Sequence, residues 1–253
     1  MTAMLGWLGA LIIGLLLGIL GAGGSIVTVP LLVYGFDQGG KLAIAQALLI
    51  VGIIAALSSI APARQGRVVW SMVLGFGIPS MLATLLGAWL SQWLSGQVQL
   101  MIFALVMLIA AGFMFRPLKV QQNTSAEPHW LAMLLGGLGV GILAGLVGIG
   151  GGFLIVPALV GLAGLSMLHA TATSLVVIAL QSFVGFAKHY HVLLGLGLAV
   201  DFGLILKVVL LGVLGAVIGQ AIANKVPAPV LKKVFAVTLL LLGSGMLVGQ
   251  WLG

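Results

Sequence analysis

Apolar residues run along this chain in long unbroken blocks, without the alternation of a half-buried strand or the single stripe of a surface helix. The blocks, bounded by polar residues, fall at about 5–36, 42–63, 68–94, 98–115, 130–165, 166–187, 192–223 and 229–252. A helix needs about 20 apolar residues to cross the roughly 30 Å hydrocarbon layer. Six blocks therefore read as ordinary crossings. Blocks 5–36 and 130–165 are too long for one crossing, and each is interrupted by glycines and a proline. Tryptophans 7, 70, 89, 93, 130 and 251 sit near block ends, where an amphipathic indole prefers the headgroup level. The polar stretch 116–129 is the one real linker, and it divides a first repeat, 1–115, from a second, 130–253. The pattern predicts an all-α polytopic membrane protein with about eight membrane elements.

The two halves are copies. GLLLGILGAGGSIVTVPLLV, from Gly14, aligns without gaps on GILAGLVGIGGGFLIVPALV, from Gly141, and half of the aligned positions are identical. The shared spacing is Gly14, Gly18, Gly21, Gly23, Gly24, Pro30 against Gly141, Gly145, Gly148, Gly150, Gly151, Pro157. The match resumes with Gly87, Gln92, Phe103 and Met114 against Gly219, Asn224, Phe235 and Met246. Each half is thus a four-element repeat that opens on a Gly/Pro-interrupted segment. Such matched interruptions point to a transporter's binding site, because unwound backbone is tolerated at membrane depth only inside protein or beside a wet cavity. Free N–H groups and positive helix ends at a break suit an anion. Other glycines read as packing surfaces: Gly137, Gly141 and Gly145, and the pairs Gly215–Gly219 and Gly245–Gly249.

Composition narrows the field further. Only 5% of the 253 residues are charged, against about 25% in a soluble domain, so disorder and a nucleic-acid-binding surface are excluded and the bilayer is the partner. No cysteine is present, which removes disulfides, thiolate catalysis and Cys-based metal sites. The four histidines and three acids form no metal-binding or catalytic pattern, so no cofactor and no enzyme activity is expected. Block 5–36 lacks a basic stretch before it and reads as a membrane element rather than a cleaved signal.

The net charge of +7 is first a topology signal. If all eight blocks cross once, the basic residues of the loops divide almost evenly between the two faces. If the first element of each half re-enters instead, each half crosses three times and the halves are inverted. Arg64, Arg67, Arg116, Lys119, Lys225, Lys232 and Lys233 then share one face against Lys41 and Lys188. The positive-inside rule favours this inverted arrangement, with both termini outside.

The candidate site is built mostly from backbone. Gly23, Gly24, Ser25, Gly150, Gly151 and Gly152 would present N–H groups to an anion near the midplane, where the two breaks are expected to meet. Thr173 and Ser174 offer hydroxyls, Gln46 an amide at the register of Thr173, and His169 a donor just ahead of them. Lys207 is the one charge well inside an apolar block, and an intramembrane charge is a functional candidate. Asp201 reads as a residue at a helix start near the surface. Lys188-His-Tyr-His191 reads as a solvated loop.

These residues also carry a family resemblance. GAGGSIVTVPLL and VGIGGGFLIVPAL, the latter followed by HATATS from His169 to Ser174, resemble the paired motif of the TauE/SafE sulfite exporter family over nearly the whole chain. The first repeat departs from it, with Ala45-Gln46-Ala47 where Ala-Thr-Ser belongs. The resemblance implies a small bacterial inner-membrane transporter of sulfur-containing anions such as sulfite, sulfoacetate or related sulfonates, usually an exporter, and the matched broken segments suggest alternating access as its mode. An anion channel, or an importer of an inorganic sulfur anion such as thiosulfate, is the alternative. Neither composition nor motif fixes the oligomeric state, which leaves a homo-oligomer open.

Overall fold

The computed structural model describes residues 2–22, 24–94, 96–115, 130–147, 152–195 and 197–251, and these contain helices and turns with no strand. The linker between the repeats lies outside the described residues. Five described helices are long and apolar enough to cross a bilayer: Gly40–Arg64, Trp70–Leu90, Met167–Gly195, Phe202–Ala223 and Ala228–Gly245. The chain is a multi-pass membrane protein.

The first block is a helical hairpin. Helix α1 (Thr2–Leu20) runs to Gly21, and α2 (Gly24–Pro30) returns beside it, continued by a π turn, Leu31–Gly35. The return is antiparallel: Gly24 lies against Ile13 and Leu17, Leu31 against Gly9, and Phe36 against Gly6. Phe36 closes the hairpin by meeting the Trp7 ring edge-on at 5.1 Å. The second repeat builds the same shape from α7 (Trp130–Val147) and α8 (Gly152–Gly161), where Leu162 comes back to Gly136.

The remaining helices follow in the same order in each half. The first repeat has α3 (Gly40–Arg64), then α4 (Trp70–Met72) and α5 (Ile78–Leu90), continuous through a π turn at Val73–Gly77, then α6 (Gly96–Phe115). The second has α9 (Met167–Gly195), α10 (Phe202–Ala223) and α11 (Ala228–Trp251). Both π turns adjoin a proline, Pro30 or Pro79. Each ring nitrogen lacks the hydrogen that would reach the carbonyl four residues back, and the ladder widens locally.

Packing pairs the halves reciprocally. Helix α1 lies on α10 and α7 on α5, while α3 pairs with α9 and α6 with α11. The first two contacts are made by glycines. A Cβ at Gly14 or Gly18 would strike the carbonyls of Gly212 or Ala216, and one at Gly141 or Gly145 those of Ser80 or Thr84. Gly137, Gly215 and Gly219 face backbone in the same way, as expected of small residues that let membrane helices approach. Gly245 differs: nothing lies within 4 Å of where its Cβ would be, so no close helix contact rests on it.

Two boundaries differ from the apolar blocks. Helix α9 continues to Gly195, so Lys188–His191 forms its last turns and not a loop. Polar side chains there extend the helix past the apolar layer, Phe186 and Tyr190 pair along it at 5.5 Å, and Gly185 inside it does not end it. Helix α10 then starts at Phe202, where Asp201 Oδ1 accepts from the Leu204 N–H at 2.9 Å as an N-cap.

Candidate functional site

The first break is held by the second repeat. Gly21 has φ +70°, a left-handed conformation that costs a side chain little only when there is none. Its carbonyl accepts from Ser174 Oγ at 2.9 Å, and the same hydroxyl contacts the Thr171 carbonyl at 2.8 Å. Thr171 presses so close that a Cβ at Gly21 would lie 2.7 Å from the Thr171 Cα. One residue from Ser174, Thr173 Oγ1 accepts from the Val69 N–H at 3.0 Å. HATATS thus meets the Gly-rich break, and its hydroxyls tie α9 to α1 and to the start of α4.

The described residues that flank the two breaks do not meet at the midplane. Gly21 lies at the first turns of α9, level with Val69 through Thr173. Gly145, next to the second break, lies against Thr84 and Ala88 near the far end of α5. Helical rise from Val69 to that level is about 25 Å. The cause is the length of the outgoing arms. A helix of 19 residues covers about 28 Å and carries its break past the middle of a roughly 30 Å layer.

Of the backbone candidates, Gly24 and Gly152 are buried and open the return helices. Gly23, Gly150 and Gly151 lie outside the described residues, as does the Ser25 side chain. His169 is half-buried near the start of α9, its Nδ1 at 2.8 Å from Ser166 Oγ. Lys207 is exposed on the outer face of α10, about 9 Å beyond Asp201 by helical rise. That position suits a side chain reaching back to the interface, and it brings Lys207 to no other candidate.

Between the breaks runs a polar seam along α3 and α9. The helices are antiparallel, with Ser182 over Gly52 and Leu48 over Gly185. Gln46, Ser58, Gln181 and Ser182 are buried along it, and both amide atoms of Gln46, the Ser58 and Ser182 hydroxyls and Gln181 Oε1 have no hydrogen-bond partner among the described residues. Gln181 Nε2 donates to the buried Ser80 Oγ on α5. A buried polar group without a partner costs about 1–3 kcal/mol, and this seam holds several. Gln46 and Ser58 are twelve residues apart, about 18 Å of helix, so the unpaired atoms span much of the layer.

A cavity of about 40 Å³ opens at the end of the bundle near Gly21. Its polar walls are Gln65, Arg67, Thr171, Gln220 and Asn224. Arg67 Nη1 donates to Asn224 Oδ1, joining the α3–α4 turn to the end of α10. Gln220 Nε2 donates to the Ser58 carbonyl at 2.6 Å. Sequence reasoning passed over Gln65, Arg67, Gln220 and Asn224 as site residues: Arg67 counted only as a topology charge, and Asn224 only as a repeat match to Gln92. The one signal was the match itself, since residues 67 and 224 meet only in the fold.

Known proteins bear on this architecture. The family model described as sulfite exporter TauE/SafE matches residues 6–246. A probable membrane transporter protein of Xylella fastidiosa (strain 9a5c) is 28% identical over 250 residues, covering 95% of this chain and 93% of the relative. One from Methanocaldococcus jannaschii is 28% identical over 189 residues, covering 71% and 70%. One from Bacillus subtilis (strain 168) is 25% identical over 235 residues, covering 90% and 93%. No solved structure matches the chain. With the family model spanning both hairpins and the seam between them, this chain belongs to the sulfite exporter TauE/SafE family of membrane transporters.

Proposed function

We propose that the protein is a secondary transporter that exports small sulfur-containing oxyanions, sulfite or a sulfonate, across a bacterial cytoplasmic membrane by alternating access. The observation that carries this reading is the seam of unpaired buried polar atoms along α3 and α9. Polar atoms left without partners inside a membrane protein suit a hydrated passage better than a sealed core. Neutral amides and hydroxyls hold an anion without trapping it. Gly24, Gly152 and their neighbours at the breaks, together with Gln46, Thr173 and Ser174, would form binding stations at the two ends of this route.

The hairpins support inverted repeats. An element that returns to its side of origin leaves three crossings per half, so the second half enters from the opposite face. Arg64, Arg67, Lys225, Lys232 and Lys233 then share one end with the Arg67 cavity, and the positive-inside rule makes that end cytoplasmic. With the interior negative, expulsion of each monovalent anionic charge gains about 2.3 kcal/mol per 100 mV, so export needs no coupled ion.

The test is flux of labelled sulfite, sulfoacetate and thiosulfate in proteoliposomes under an imposed potential. Saturable, counterflow-competent flux of a sulfur oxyanion above protein-free vesicles is the expected result. Flux no faster than in empty vesicles for all three overturns the reading.

A further inference from the structure

The Arg67 cavity has no role in the reading above, and its chemistry is that of a binding site. Arg67 is half-buried, and among the described residues its guanidinium meets one side chain, the neutral amide oxygen of Asn224. No described carboxylate neutralises it. Among the described residues the acids are Asp37, between α2 and α3, and Asp201, at the start of α10, and both lie toward the other end of the bundle. A guanidinium carries five donors in a planar fork that matches an oxyanion with two hydrogen bonds. Here one nitrogen is fixed by Asn224, which orients the fork without cancelling its charge.

The remaining polar walls are neutral. Gln65, Gln220, Asn224 and Thr171 line the cavity with amides and a hydroxyl. The Gln220 amide nitrogen is committed to Ser58, and the Thr171 hydroxyl donates to the Leu168 carbonyl at 3.0 Å. One charged donor set among neutral groups makes a site for a single small anion. A cavity of about 40 Å³ exceeds the roughly 10–15 Å³ that one water needs and has room for a small oxyanion. It is walled by α1, α3, α9 and α10, and Gly18 on its wall lies three residues from the break at Gly21.

We infer that this cavity is an oxyanion-binding site at the cytoplasmic end of the bundle, with Arg67 as the charged ligand and Asn224 as its positioning residue. The inference deepens the transport reading and rests on it for orientation. The anion would take the guanidinium N–H groups that Asn224 leaves free.

Calorimetric titration of sulfite and of sulfate into the full chain in phosphatidylcholine nanodiscs tests the assignment. R67Q removes the charge and should raise Kd at least about tenfold, since a charge-assisted bidentate pair is lost. N224D keeps Arg67 but neutralises it, and should weaken binding comparably. R67K should retain binding within about fivefold, as a point charge without the fork. Unchanged Kd in R67Q, or in a well-folded N224D if R67Q does not fold, overturns the site. If an anionic lipid headgroup is the occupant instead, a few mol per cent of phosphatidylglycerol in phosphatidylcholine, too little to change the surface potential, abolishes sulfate binding, and the assignment to a free anion is overturned. Arg67-dependent sulfate binding by a protein that moves no sulfur anion leaves this site standing and removes the transport reading. Sulfite flux by a protein whose R67Q variant binds sulfate with unchanged Kd does the reverse.

Discussion

Gln220 donates its side-chain amide to the carbonyl oxygen of Ser58 at 2.6 Å, across the boundary between the two repeats. That carbonyl is available because Pro62, four residues on within α3, has no N–H to offer it. A proline is tolerated inside a membrane helix when a neighbour satisfies the freed group, and here the neighbour is a side chain from the other half. Local backbone chemistry at Pro62 thereby becomes a contact between α3 and α10 at the cavity wall.

Replacing Gln220 with Leu should leave the Ser58 carbonyl unpaired and cost about 1–3 kcal/mol, lowering Tm by a few degrees in a chain of this size. The same change in a P62A background should cost little, since an alanine N–H restores the bond within α3. The checking measurement is a double-mutant cycle on thermal unfolding. A coupling near 1 kcal/mol or more is expected, and strictly additive losses would show that Gln220 acts through another contact.

Gly21 resists replacement for two separate reasons, its positive φ and its contact with Thr171. A side chain there must adopt a left-handed backbone, at about 1–2 kcal/mol, and must push Thr171 away, at about 1–3 kcal/mol more. G21A should therefore unfold at lower temperature and lose flux. By contrast, G139A adds a methyl where nothing lies within 4 Å and improves helix propensity, so it should be neutral or slightly stabilising. Equal behaviour of the two variants in melting curves would contradict the role given to the break.

Gln46 separates a transport role from a structural one. Its amide is fully buried and unpaired, so Q46L replaces a penalised polar group by an apolar one of similar size. Stability should hold or rise by about 1 kcal/mol, while flux of the sulfur anion falls at least tenfold. A variant that melts lower and transports normally would place Gln46 in the scaffold and off the route.

Much of this was legible in the sequence because membrane physics leaves few options. Apolar block length gave the helices, and the repeated Gly/Pro spacing gave the two broken segments, now seen as hairpins with Phe36 against Gly6 and Leu162 against Gly136. What was not legible was depth. Spacing marks where a helix breaks, but the level of each break depends on the length of its outgoing arm, and both arms overshoot the middle. Helix ends also misled at Lys188–His191, because polarity marks the edge of the bilayer and a helix need not stop there. The Arg67 cavity was invisible for a different reason. Its walls come from residues 65–67, 171 and 220–224, brought together only by the packing of one repeat on the other.

The absence of native cysteine permits a direct test of how the halves are arranged. Gly39 and Gly161 are both exposed, with open space where a Cβ would go, so G39C and G161C should fold as the parent does. Each follows the first broken segment of its repeat. If both first segments crossed the membrane fully, four crossings would separate these positions and they would face the same side. With hairpins that return to their starting side, Gly39 precedes three crossings and Gly161 follows them, which puts the two on opposite sides. A membrane-impermeant thiol reagent applied to intact cells should therefore label G39C and spare G161C, and inverted vesicles should reverse the pattern. Labelling of both from one face would mean that the α7–α8 segment crosses the membrane, and the matched pair of returning hairpins would have to be given up.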